Sequence, residues 1–304
     1  MSRGASFLLL AVAVVVVSTA SILVRYAQAE GASSAAIAAG RLTIAVLLLA
    51  PFAWSRAGAE LLRLSRRDLA VCAASGLLLA LHFWTWIASL EHTSVASSAA
   101  LVTTNPIWVA ILSAWLLHEV PPRLQQAGIA VTLAGTVLVF IADWGSSTGG
   151  PAPLLGNSLA LTGALAASGY LLIGRGLRSN VGLLAYVWLA YAFAALALLI
   201  AAFVTGESVA KVPSGAWIFI AALAIGPQLI GHTVFNWALR RLSATFVALS
   251  ILGEPVGSAL LAWLLLGERF TTLQFTGFVV LLAGIFIAAR TEREDHPAAP
   301  VSKG

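Results

Sequence analysis

The chain has 304 residues, 60% of them hydrophobic and 10% charged, with a formal net charge of +5. Soluble domains carry roughly 25% charged residues, so most of this surface must face lipid, which excludes an ordinary soluble domain. The basic balance does not indicate nucleic acid: the arginines fall in short clusters between long apolar runs, and Trp and Phe sit inside those runs, so no continuous basic patch forms.

Crossing a bilayer takes about 20 mainly apolar residues, with a range of roughly 17–25. Ten segments qualify, at 7–26, 34–54, 69–88, 95–117, 125–142, 156–174, 183–204, 215–237, 244–266 and 273–289. Continuous apolar runs of this length predict helices and exclude the alternating strands of a barrel. The first begins after Arg3 and is followed by Ala27-Gln28-Ala29, which resembles a signal-peptidase site. The run from Phe7 to Val24 is 18 residues, longer than the roughly 7–15 of a signal peptide. It therefore reads as an uncleaved first span.

The second segment carries Arg41, about two turns below its outer end. Arg41 has three readings: a partner for Glu254, a holder of a substrate carboxylate, or a side chain that snorkels to the outer surface. Cys72, the single cysteine, lies in the third segment and reads as a small buried hydrophobe. His82 and Trp86, four residues apart in the same segment, suit stacking on a ligand or an outer aromatic belt. In the fourth, Asn105-Pro106 breaks the helix and frees the Val102 carbonyl, with Trp108 a turn on. Tyr186, Trp188 and Tyr191 in the seventh segment read as belt residues.

The eighth segment places Gln228, His232 and Asn236 on one face, every four residues, with Pro227 breaking the helix beside them. His232 reads either as a proton carrier or as a structural histidine. In the ninth, Glu254 lies near mid-span, where a charge costs about 2.5–3.5 kcal/mol on insertion scales. Pro255 follows it, and Gly253 and Gly257 allow close approach or bending. Glu254 belongs either to a substrate pathway or to helix packing. Glu119 and Glu268 close their spans as interfacial end-markers, and Gly128, Gly135, Gly277 and Gly284 suit close helix contacts.

With the N-terminus cytoplasmic, Arg3, Arg56, Arg63, Arg66, Arg67, Arg123, Arg175, Arg178, Arg240, Arg241, Arg290, Arg293 and Lys303 all lie inside. Arg25, Lys211 and Arg269 lie outside. Thirteen against three follows the positive-inside rule and places both termini in the cytoplasm, the C-terminus as a short tail.

Adding 149 to the residue number maps Ser94 to Ser243, Pro106 to Pro255, Glu119 to Glu268 and Gln125 to Gln274. It also maps Gly128 to Gly277 and Gly135 to Gly284. A one-residue slip brings His82 onto His232. The chain therefore divides into residues 1–148 and 149–304, each with five spans. An odd number starts the second copy on the opposite side, giving an inverted repeat, the usual construction of secondary transporters.

The pattern Ser-x11-Pro-x12-Glu-x5-Gln-x2-Gly-x6-Gly, once per half, resembles the EamA-type repeat of the drug/metabolite transporter superfamily, over roughly residues 7–290. More closely the chain is similar to bacterial YddG-type exporters of aromatic and other amino acids. The resemblance implies a ten-helix fold in the bacterial inner membrane, a central cavity and cytoplasmic termini. One departure is that the first half has Asn105-Pro106 where the second has the family-like Glu254-Pro255.

No enzyme motif competes. His118-Glu119 lacks a second histidine four residues on, no phosphate-binding Gly-Lys-Ser/Thr loop is present, and Gly174-Arg175-Gly176 is too short for a dinucleotide site. The sequence thus predicts an all-α polytopic membrane protein of ten transmembrane helices that needs no metal or cofactor. It is expected to export a small zwitterionic or apolar molecule, most readily an amino acid, by alternating access. A carrier of other metabolites or drugs is the second reading, followed by a passive channel and a membrane-embedded enzyme. The candidate substrate residues are Asn105, Trp108, Glu254, Gln228, His232, Arg41, His82 and Trp86. The candidate hinges are Pro106, Pro255, Gly253, Gly257 and Pro227.

Overall fold

A computed structural model describes residues 3–116, 118, 121–144, 149–177, 181–231, 234 and 253–291. Helix α1 (Arg3–Ser18) leads through Thr19 into α2 (Ala20–Ala29). Next come α3 (Ser34–Leu61), α4 (Arg66–His92), α5 (Val95–Val102), α6 (Asn105–Leu116) and α7 (Arg123–Asp143). In the second half are α8 (Pro153–Leu177), α9 (Leu183–Val204), α10 (Ala216–Leu223), α11 (Gly253–Leu266) and α12 (Thr272–Thr291). Serines start three of these helices. The Ser33, Ser65 and Ser94 hydroxyls accept from the amides of Ala36, Asp68 and Ser97 at 3.3, 3.1 and 3.0 Å, meeting donors that the first turn leaves free.

Seven helical stretches are long and apolar enough to cross a membrane: Leu8–Ala29, Ser34–Leu61, Arg66–His92, Val95–Trp115, Arg123–Asp143, Pro153–Gly174 and Leu183–Val204. Three shorter apolar helices follow, Ala216–Gly231, Gly253–Leu266 and Thr272–Ala288. All ten fall on predicted segments, and the last helix, Thr272–Thr291, covers the whole of its predicted range. For the eighth and ninth, residues 232–233 and 235–252 lie outside the described residues.

Two of these segments are irregular inside, the fourth as expected and the eighth in another way. The fourth bends: α5 ends at Val102, Thr103 and Thr104 form a turn, and α6 begins at Asn105. The eighth is not broken at Pro227; α10 instead widens into a π-helix over Ala224–Gly231. Proline lacks an N–H and crowds the carbonyl four residues back, and the wider turn accommodates both, a geometry frequent at functional sites.

Packing joins the halves. α7 lies along α12, α3 along α9, and α5 against α11. α4 packs on α8 and α9, while α10 and its π-helical continuation pack on α1, α2 and α3. α5 and α6 pack on α8, and α11 packs on α1 and α2. Exchanging the halves reproduces this set of contacts. Apolar side chains such as Leu47, Phe52, Val137, Leu196, Phe203 and Phe275 stay exposed, as a lipid-facing surface requires.

At α7–α12 the backbones themselves meet, as the glycine pattern predicts. A Cβ on Gly135 would stand 2.3 Å from the Leu281 amide nitrogen, and one on Gly284 would stand 2.4 Å from that of Thr132. The same helices share a buried polar node. Asp143 accepts from the Asn157 and Gln274 side-chain amides, both at 2.6 Å, and Thr93 donates to Asn157 at 2.8 Å. This node ties the ends of α4, α7, α8 and α12 together.

Gly135→Val should therefore lower the melting temperature of the purified protein, because the clash is with backbone and overpacking costs about 1–3 kcal/mol or more. Gly58→Ala, where the added carbon meets only the Trp54 ring at 3.5 Å, should leave it level or raise it. Equal melting of the two variants would refute the backbone contact.

Candidate substrate site

Arg41, on the second turn of α3, is 2% exposed, so it does not snorkel to the surface. Its neighbours come from four helical elements. The guanidinium carbon lies 4.3 Å from the centre of the Phe83 ring and 5.7 Å from that of Trp86, both on α4. Nε donates to Gln228 Oε1 at 3.0 Å, and the Gln228 amide is hydrogen-bonded in turn to the Tyr191 hydroxyl of α9. Glu254, in the first turn of α11, is within electrostatic range of Arg41, yet among the described residues no ion pair joins the two.

A buried guanidinium is tolerated where aromatic faces and hydrogen bonds replace its water. Cation–π contact contributes about 2 kcal/mol when desolvated. The replacement is incomplete: Arg41 Nη1 has no hydrogen-bond partner, and neither has the indole Nε1 of Trp86. A buried unmet donor costs about 1–3 kcal/mol, and more when charged. Two such donors on adjacent side chains favour an acceptor, and a carboxylate offers several lone pairs at once.

His82 stacks parallel to Trp86 with ring centres 6.4 Å apart, and its Nδ1 bonds the Gly163 carbonyl of α8 at 2.9 Å. Both His82 and Trp86 thus sit inside the bundle, not in an outer belt. Tyr191 also departs from the belt reading, being 7% exposed and part of the Arg41 cluster. Tyr186 is likewise buried, 2.6 Å from the Ser75 hydroxyl.

The two proline sites are built alike. Ser168 on α8 shares its hydroxyl between the Ala164 carbonyl at 2.8 Å and the Asn105 carbonyl at 3.0 Å. Ser18 on α1 shares its own between the Val14 carbonyl at 2.8 Å and the Glu254 carbonyl at 3.3 Å. The carbonyl just before each proline is thus met by a serine of the opposite half, and the serines are themselves 150 residues apart. Gly253 and Gly257 serve this contact through close approach: Cβ atoms there would stand 2.8 Å from Val14 Cγ1 and 2.3 Å from Ser18 Oγ.

The first site adds an orphan of its own, since Asn105 Oδ1 is buried without a partner. Trp108 turns its indole N–H onto Thr104 at 3.1 Å. Among the described residues, no hydrogen bond or ring contact links Asn105 or Trp108 to the Arg41 cluster. His232 and Asn236 lie outside the described residues. Phe83, Tyr191, Ser18 and Ser168 were not singled out in the sequence, although the 150-residue offset would have found the serine pair.

The sequence pattern of the EamA-like transporter family matches residues 4–141 and again residues 154–290, one copy for each proline site. The chain belongs to the EamA-like transporter family. This EamA-like chain is 25% identical over 247 residues to an uncharacterized transporter of Clostridium kluyveri, covering 80% of the chain and 79% of that protein. It is 27% identical over 271 residues to a probable terminal-alkyne amino-acid exporter of Streptantibioticus cattleyicolor, covering 86% of each. A solved crystal structure with 20% identity superposes with a TM-score of 0.64 over 96% of the chain and all of that protein, which establishes a shared fold. The chain is therefore an integral membrane protein of transporter type with the two-repeat fold.

Arg41→Met combined with Gln228→Leu removes the buried cation together with the acceptor it would leave unpaired. Replacing such groups by apolar ones of similar volume is often neutral or stabilising. The double variant of this EamA-like transporter should melt no lower than the parent. A large drop in melting temperature would make Arg41 a structural residue.

Proposed function

We propose that this EamA-like transporter is a secondary exporter of small carboxylate-bearing metabolites with apolar side chains, aromatic and other amino acids foremost. The observation that carries this reading is the pair of unmet buried donors, Arg41 Nη1 and Trp86 Nε1, set among Phe83, Tyr191 and Gln228. Arg41 takes the carboxylate. Phe83, Trp86 and His82 offer ring surface to the side chain, and Glu254 and Asn105 are acceptors suited to an ammonium group. The 27%-identical relative named as a probable terminal-alkyne amino-acid exporter supports the same class. Other small metabolites remain the second reading.

Transport follows alternating access of two inverted halves meeting near residue 148, with Pro106, Pro227 and Pro255 at the points where helices yield. The protein sits in the bacterial inner membrane with both termini in the cytoplasm, as the basic residues of its loops favour. Cysteine substitutions at 149–152 in intact cells should accordingly react with an impermeant maleimide. Reaction only after the cells are opened would reverse the orientation.

Counterflow in proteoliposomes tests the substrate class. Several apolar amino acids should compete with one another, because one methylene in an apolar pocket is worth only about 1–3 kcal/mol. The matching amino-acid amides should compete about 10–100-fold more weakly, the loss expected for a charge-assisted hydrogen bond. Arg41→Met should abolish exchange. Saturable exchange of an unrelated neutral metabolite, with none for any amino acid, would refute the assignment.

A further inference from the structure

The end of the bundle that carries Arg25 is held by a contact between the halves. α11 finishes at Gly267, whose φ of +67° is left-handed, and the next amide, that of Glu268, bonds back to the Ala262 carbonyl at 3.2 Å. The turn brings the Glu268 carboxylate onto the start of α5. Its two oxygens accept the Val95 amide at 2.9 and 3.2 Å, and it also accepts from the Ala96 amide. Ser94 meets the next amide, that of Ser97, with its hydroxyl at 3.0 Å, and its carbonyl accepts the first helical bond, from Ser98, at 2.9 Å. The three first-turn amides of Val95, Ala96 and Ser97 are therefore satisfied, two of them by a carboxylate from the other half.

Arg25 completes the contact. Its charge stands near Glu268, and its guanidinium donates to the Leu90 carbonyl near the end of α4. A turn along α2, Gln28 donates to the Ile87 carbonyl at 2.9 Å, and Ser34 bonds Glu91. Every member of this cluster except Glu268 belongs to the first half. Glu268 and Arg25 are both only half-buried, so water can reach them once α5 and α11 separate. Parting then exchanges one set of partners for another and strands no group in lipid. His118, matched to Gly267 at the repeat offset, also has a left-handed φ of +56°.

We propose that the Glu268 carboxylate, seated on the α5 N-terminus beside Arg25, is a latch that keeps this end of the transport path shut and must release for the path to open there. The proposal rests on the fold and not on the substrate assignment, and its test uses no substrate.

Ser21, 3% exposed, lies one turn inward of Arg25 on the same face of α2 and reports opening. In nanodiscs, Ser21→Cys in a Cys72→Ala background should react slowly with a water-soluble thiol reagent. Adding Glu268→Ala, or separately Arg25→Gln, should speed labelling about tenfold, the scale set by losing one charge-assisted hydrogen bond. Should either variant fail to fold, hydrogen exchange on the unaltered protein supplies the measurement. The Val95 and Ala96 amides should then exchange faster than the amides of Ala99–Leu101 in the same helix. Unchanged labelling in a folded variant, or equal exchange along α5, would overturn the latch.

Discussion

In lipid there is no water to satisfy a backbone group that a helix leaves unpaired, and the polar side chains of this protein are placed accordingly. Where a proline follows Asn105 or Glu254, the carbonyl just before it is met by a serine from the other half. At the start of α5, two free amides are met by Glu268, again from the other half. The polar backbone at each of these places thus finds its partner where the halves touch.

Arg41 is the exception on which the proposed site rests. It is buried like the capping serines, yet its neighbours do not satisfy it completely. Aromatic rings hold the cation without offering lone pairs, and the one firm acceptor, Gln228, sits on a π-helical turn shaped by Pro227. Glu254 exerts a field at the guanidinium without closing an ion pair on it. An acceptor that arrived and later left would meet a site set up for it but not already neutralised by the protein.

Much of this was legible in the sequence. Seven of the apolar runs, the break beside Pro106 and the small residues where α7 meets α12 follow from composition and spacing, and each reappears where expected among the described residues. Side-chain fate was less legible. Arg41 lies about two turns from a span end, a depth from which both snorkelling and burial are possible, and only the position of α4 decides between them. Tyr191 and Tyr186 have the composition of an interfacial belt, but helix periodicity in a span that is apolar all round does not say which face turns inward. The π-helix was unreadable for a related reason: Pro227 announces a disturbance of the helix, not whether it kinks or widens. Ser18 and Ser168 pass for ordinary small residues until each is set beside a carbonyl far away in the chain.

The backbone contact between α7 and α12 also bears on the order in which the chain is made. α12 leaves the ribosome well over a hundred residues after α7. Until α12 is made, the close-packing face of α7 at Gly128 and Gly135 lacks its partner, and the Asp143 carboxylate lacks the Gln274 amide. A chain interrupted anywhere before Thr272 would carry both defects permanently. The open helix face and half-bonded carboxylate would therefore set unfinished copies apart from finished ones.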